Sequence, residues 1–232
     1  MNPEGLPELP QSPRPERGDF LAHLLPVDAP ELVFIPGFLP QTFADQWLDW
    51  LLDGVAWETR SISFGGRPIP VPRLVAWYGE EAYRYGGFTH PVCPLPPPLA
   101  RLRDQVAQVV QQHLPAAPGF NSVLLNQYRD GQDSMSFHAD NEVQLGPAPV
   151  IASLSLGATR TFQFRSTAAA ANGRRQRLAG LLTHGSLLVM HGHSQLDWQH
   201  AIPKEPCTGM RINLTFRLTA PLQPGPLRRK TA

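Results

Sequence analysis

The shortest spacing in this chain that could hold a metal ion is His138-Ala139-Asp140. In an extended segment residues i and i+2 point to one face, so an imidazole and a carboxylate reach the same ion. One nitrogen and one oxygen make a poor zinc cage. They do make two members of a facial triad, which leaves three adjacent positions open, as iron requires to bind a bidentate cosubstrate and O2 together. The third ligand has to come from another segment, and His184, His191, His193 and His200 are the candidates. His191-Gly192-His193 has the same i, i+2 spacing and resembles the paired histidines of cupin metal sites. His200 is favoured because it follows Trp198 in a segment leading directly into Ala-Ile-Pro, and because Arg211, Asn213 and Arg217 lie shortly downstream.

Within the strand-like RINLTFR, positions 211, 213, 215 and 217 share a face. Two arginines on the inward face of a strand are costly unless an anion pairs with them. A dicarboxylate suits them, because each guanidinium can grip one end.

The elements that must position these residues follow from hydrophobic period. Residues 42–53, TFADQWLDWLLD, carry Phe43, Trp47, Trp50 and Leu51 near helical spacing, with Gly54 available to end the helix in the left-handed conformation. A second helix is expected from Pro97 to His113, with Leu99, Leu102, Val106, Val109, Val110 and Leu114 as one apolar stripe and prolines 96–98 in its first turn. Residues 32–38, LVFIPGF, read as a first strand ending in a turn. From residue 122 onward SVLLNQY, VIASLSL, RTFQFR, RLAGLL, SLLVM and RINLTFRL are short strand-like runs separated by turn formers, which predicts an antiparallel barrel or two-sheet sandwich. Helices first and strands later make the class α+β.

The whole chain has 232 residues, 42% hydrophobic and 17% charged, which fits one globular domain. Residues 1–30 are proline-rich and without hydrophobic period, and are expected to form a loose tail. Residues 31–220 are expected to form the domain and residues 221–232 a C-terminal tail. No run of 18 apolar residues is present, so no transmembrane helix is expected. The N-terminal MNPEGLPELPQSPRPERGDF has no apolar signal region, so secretion by that route is not expected. Cys93 and Cys207 are far apart and outside any CxxC, which excludes a disulfide framework and a zinc finger. Net charge is +1, so bulk charge announces no nucleic-acid binder, although 18 of the 20 basic residues are arginine, the better fork for anions.

Together, Asn126-Gln127-Tyr128, His138-Ala139-Asp140, His200 and Arg211 to Arg217 resemble the AlkB family of iron(II)- and 2-oxoglutarate-dependent dioxygenases, over about residues 34–218. VIASLSLGATRTFQFR, HGSLLVM and DWQHAIPKE resemble its nucleic-acid dealkylation branch. The resemblance implies a double-stranded β-helix (jelly-roll) core at about 120–220, flanking N-terminal helices and a substrate-recognition region at about 55–95. It implies His138, Asp140 and His200 as Fe(II) ligands, and Arg211, helped by Tyr128, as partner of the distal carboxylate of 2-oxoglutarate. Arg217 would meet the carboxylate beside the keto group, with Asn126 and Asn213 nearby. The implied reaction consumes O2 and 2-oxoglutarate, yields succinate and CO2, and hydroxylates an N-linked methyl group that leaves as formaldehyde.

On the substrate side the resemblance implies that Glu142 reads the exocyclic amine of an alkylated base such as 1-methyladenine or 3-methylcytosine. Tyr83 and Tyr85 would line the base pocket, with Tyr85 stacking on the flipped base opposite the His138 ring. Ser63-Phe64-Gly65 would be a hairpin tip whose Phe64 wedges into the stack. Arg73, Arg84, Arg174 and Arg175 are candidates to meet phosphates, with solvated side chains as the alternative for each. Ala139 and Asn141 depart from the family, where these positions are often polar and acidic; neither is a ligand, but the change at 141 weakens transfer of substrate preference. The expected partner is alkylated DNA, with RNA or protein as alternative substrates and a non-catalytic metal-binding jelly roll as the alternative of another class. A monomer with no membrane association is expected, cytoplasmic in a bacterium and nuclear or cytoplasmic in a eukaryote.

Overall fold

The computed structural model describes residues 29–222, apart from 66, 86–87, 171–172 and 207–208. The expected tail at 1–30 lies almost entirely outside the described residues, as do 223–232 and Cys207. Cys93 is a free, half-buried thiol.

Among the described residues two α-helices and thirteen strands follow in the order β1 (Glu31–Ile35), α1 (Gln41–Gly54), β2 (Glu58–Phe64), β3 (Arg67–Gly79), β4 (Tyr83–Tyr85), β5 (Phe88–His90), α2 (Pro97–His113), β6 (Ser122–Tyr128), β7 (Met135–His138), β8 (Ile151–Gly157), β9 (Arg160–Ala169), β10 (Arg175–Leu182), β11 (Ser186–His191), β12 (Trp198–Ile202) and β13 (Arg211–Arg217). Seven strands form a major sheet in the order β1-β11-β8-β13-β6-β3-β2, and four form a minor sheet in the order β10-β9-β12-β7. Strands β4 and β5 make a separate ribbon. The pairings are antiparallel, and the architecture is the expected jelly-roll core with helices.

The stripe predicted for α2 is real: Leu99, Leu102, Val106, Val109 and Val110 are all buried. Burying each such side chain contributes about 1.5–3 kcal/mol. The helix packs with Trp47 and Leu51 of α1 against Leu125, Leu154, Ile212, Leu214 and Phe216 of the major sheet. Gly54 departs from expectation. It is the last residue of α1 and its φ is not positive; the chain leaves the helix through Val55 in extended conformation, φ −98°. The first strand ends in a turn as expected: β1 gives way at Pro36 and Gly37, the latter at φ 64°.

Period-2 alternation divides the sheet's two faces. In β13, Ile212, Leu214 and Phe216 belong to the helix-side core, while Arg211, Asn213, Thr215 and Arg217 face a pocket between the sheets. Strand β8 repeats this with Ala152, Leu154 and Leu156 on the helix side. On its other face Ser153 lines the pocket and Ser155 bonds Arg211. Within the 55–95 region β3 pairs with β6 from Leu74↔Gln127 to Gly79↔Ser122, so the hairpin β2–β3 extends the major sheet.

His90 in β5 is buried against Trp77 and Tyr83, at ring separations of 5.5 and 6.4 Å. Burial, then the Arg60 and Arg217 charges, lower its pKa from 6.5 to about 4. Below pH 6.5 the unfolded chain takes up a proton that the folded protein refuses until about pH 4, so this group costs stability as pH falls through that window. In urea titrations from pH 8 to 4, His90→Phe should gain stability relative to wild type as the pH drops below 6.5. A pH-independent difference between the two would show that His90 titrates normally in the fold.

Candidate metal centre and its pocket

Strands β12 and β7 pair directly at His200↔His138. This register places the two imidazoles 4.2 Å apart between ring centroids, with Asp140 just beyond the end of β7. One ligand atom from each of His138, Asp140 and His200 lies within 4.8 Å of the others. His200 is the third member, as favoured by the sequence. His184 instead accepts from the Gly157 N–H at 2.7 Å and approaches Asp45 at 3.2 Å. His193 is exposed and pairs with Asp197 at 3.6 Å.

Each member is held by a neighbour. Nδ1 of His138 lies 2.9 Å from the Ser136 carbonyl, which directs its Nε2 toward Asp140 Oδ1 at 3.7 Å. The ring of Phe162 stacks on His200 at 5.2 Å and 20°. The Asp140 N–H donates to Gln195 Oε1 at 2.9 Å, and Arg217 donates to Asp140 Oδ2 at 2.7 Å. Burial pushes the Asp140 carboxyl up, but Arg217 and the two histidines outweigh it and hold the pKa at about 2. Burial drives His200 down to about 3, reinforced by His138, and lowers His138 as well. The centre is therefore one carboxylate and two neutral imidazoles at neutral pH.

The floor of the pocket is built by register. β13 lies between β6 and β8, so Arg211 is flanked by Tyr128 and Gly157, and Asn213 by Asn126 and Ser155. Gly157 is required here: its φ is +88° and a Cβ would stand 2.4 Å from the Met210 carbonyl oxygen. Arg211 donates to Ser155 Oγ at 2.9 Å and Asn213 Oδ1 at 2.6 Å, with its guanidinium 5.3 Å from the Tyr128 ring centroid. Burial lowers its pKa to about 10. Burial acts on Arg217 in the same sense, but Asp140 and Tyr83 hold it above the ordinary arginine value.

Four guanidinium nitrogens, Nε and Nη1 of both Arg211 and Arg217, are buried without a hydrogen-bond partner, and so is Asp140 Oδ1. Such groups are expensive to leave unmade. A metal ion would engage Asp140 Oδ1 and the imidazoles, and a dicarboxylate would engage the guanidiniums, so the residues fit both groups. The cavity between these groups is small, about 40 Å³.

A family model, the 2OG-Fe(II) oxygenase superfamily, matches residues 31–217. The chain is 40% identical to mouse "Alpha-ketoglutarate-dependent dioxygenase alkB homolog 3", covering 88% of this chain and 71% of that one. It is 35% identical to Arabidopsis thaliana "DNA oxidative demethylase ALKBH2", covering 81% and 66%. The chain is an AlkB-family 2OG-Fe(II) oxygenase. A solved structure titled "The structure of OsALKBH1" superposes with TM-score 0.57 at 18% identity, covering 81% of this chain and 98% of that one, which speaks to fold alone. This AlkB-family chain thus requires Fe(II) and 2-oxoglutarate, and its triad is suited to the iron.

Other sequence-derived assignments fare unevenly. Asn126, Tyr128, Asn213 and Tyr85 all line the pocket. Tyr83 and Glu142 do not: Tyr83 is fully buried, stacked on Trp77 at 4.9 Å, and donates its hydroxyl to Oε2 of the half-buried Glu142 at 3.0 Å. Arg73 is likewise buried rather than presented to phosphates, because its Nε donates to Asn126 Oδ1 at 2.8 Å. Arg84, Arg174 and Arg175 are exposed. The hairpin tip forms as expected, with Phe64 opposite Arg67 and Gly65 at φ 58°, but the Phe64 side chain lies outside the described residues. Sequence reasoning missed Gln195, Ser155 and Gln144. For Ser155 a signal existed, the alternation in ASLSLG; glutamines 195 and 144 carried none.

Alanine at His138, Asp140 or His200 should abolish retention of Fe(II) in anaerobic equilibrium dialysis while far-UV circular dichroism stays native. His193→Ala should retain iron as wild type does. Iron loss in the His193 variant with retention in the His200 variant would overturn the ligand set.

Proposed function

We propose that this chain removes methyl groups from ring nitrogens of alkylated bases, of the 1-methyladenine and 3-methylcytosine type, in DNA or RNA. The observation that carries the reading is the joining of the triad, two buried guanidiniums and Tyr85 in one open pocket. Its similarity to the Arabidopsis DNA oxidative demethylase supports the reading.

Bound iron and 2-oxoglutarate would supply the oxidation that hydroxylates the methyl group. The chain's residues do the rest. Arg211 takes the distal carboxylate with its unpartnered Nε and Nη1, and the serine and asparagine beside it fix the fork's plane. Arg217 offers two free donors to the proximal carboxylate while keeping Asp140 ionised. Neutral imidazoles present lone pairs rather than protons to the metal. Tyr85 stacks on the target base. Tyr83 binds one oxygen of Glu142 and leaves the other to accept the base's exocyclic amine. Burial, then Asp140, raise the Glu142 pKa, an environment that a cationic methylated ring relieves.

The test is incubation with matched single- and double-stranded methylated oligonucleotides, Fe(II), ascorbate and 2-oxoglutarate. Product should be lighter by one methylene, with formaldehyde released. Succinate formation without any demethylated base would contradict the nucleic-acid reading and leave a protein substrate. Opening a duplex costs a few kcal/mol that a wedge offsets. Both strand forms should therefore be substrates, and Phe64→Ala should lose more rate on duplex than on single strand. Equal losses would remove the wedge.

A further inference from the structure

We propose that Gln144 is a positioning residue that locks the base-reading carboxylate to the aromatic ribbon and to the cosubstrate strand. This deepens the reading above and rests on it.

Gln144 sits two residues after Glu142 in a short 3-10 turn, buried, and its carboxamide makes three hydrogen bonds to two separate segments. Its Oε1 accepts the Arg84 N–H at 2.9 Å. Its Nε2 donates to the Ala82 carbonyl at 2.8 Å and to the Ala220 carbonyl at 2.8 Å. Its own backbone carbonyl accepts the Ala220 N–H at 2.8 Å. Ala82 and Arg84 bracket Tyr83, the donor to Glu142, and lead to Tyr85 in the pocket wall. Ala220 lies three residues after Arg217 at the end of β13. One side chain therefore fixes the Glu142 turn against the ribbon that carries both tyrosines and against the strand that carries both site arginines.

The partners specify the residue type. Two carbonyls need two N–H donors and one amide N–H needs an acceptor, all on one planar head at this reach. Among neutral side chains only a primary amide supplies that set, and asparagine is one methylene short. Glutamate has the same size but turns a carboxylate oxygen toward two carbonyls, with no proton between them at neutral pH. Buried and unsatisfied, that arrangement drives the segments apart. Gln144 is neither part of the pocket lining nor a ligand of the triad, so its effect passes through the turn that carries Glu142 and the ribbon that carries Tyr83 and Tyr85.

The test compares Gln144→Glu, Tyr83→Phe and the double variant with wild type, on a single-stranded methylated oligonucleotide. For Gln144→Glu, KM for the oligonucleotide should rise about 10-fold with kcat within about twofold, because binding posture rather than the reaction is disturbed. Its KM for 2-oxoglutarate and its oligonucleotide-independent succinate formation should match wild type. Tyr83→Phe should show a smaller rise of the same kind, and the double variant should be no worse than Gln144→Glu alone, since both act on one carboxylate. Additive effects, or a fall in kcat with KM unchanged, would overturn the positioning role. Should Gln144→Glu fail to fold, Gln144→Met keeps the volume without the polar atoms, and the same cycle applies to it. Wild-type failure to demethylate any oligonucleotide would instead sink the function reading, which separates the two.

Discussion

The ion pair between Arg217 and Asp140, buried inside the jelly roll, constrains everything around it. A carboxylate that deep would protonate without a cation beside it, and a protonated acid is no metal ligand. Arg217 therefore makes Asp140 a ligand, and Asp140 in return keeps Arg217 charged in a place where burial opposes it. Arg211 lacks such a partner. Its charge is tolerated through a serine, an asparagine and a tyrosine ring, which orient the guanidinium without neutralising it. The pocket is electrostatically finished only when anionic groups meet those forks.

Strand geometry makes this affordable in sequence terms. The same seven residues of β13 bury Ile212, Leu214 and Phe216 toward the helices and present Arg211, Asn213 and Arg217 toward the pocket. A slip of one residue would exchange the faces. The register is held on both sides, by β6 and by β8, with Gly157 permitting close approach next to Arg211. The cross-strand pairing of His200 with His138 does the same for the metal, since it brings together residues 62 positions apart in sequence.

Legibility in the sequence followed the reach of each interaction. The α2 stripe, the inward face of RINLTFR and the HxD pair are local periodicities, and each was readable. The union of His200 with His138 depends on which strands pair, and residue types narrowed the choice only because the arginines followed. Tyr83 and Arg73 misled because a tyrosine or arginine beside a pocket looks the same from sequence whether it faces the ligand or braces a residue that does. Burial decides that, and it sets Tyr83 against Glu142 and Arg73 against Asn126. Gln144 was illegible for the related reason that its three partners lie at residues 82, 84 and 220.

The central claim is that the buried guanidinium of Arg211 is built for a dicarboxylate and not for the fold. The direct measurement is thermal or urea stability of wild type and Arg211→Met, each with and without 2-oxoglutarate in the presence of Mn(II) under argon. Replacing an uncompensated buried charge by an apolar side chain of similar length should leave the ligand-free protein at least as stable as wild type. At 2-oxoglutarate about 100 times its Kd, wild type should gain about 2.7 kcal/mol, and the variant should gain far less. A destabilised ligand-free variant that still responds to 2-oxoglutarate as wild type does would contradict the account.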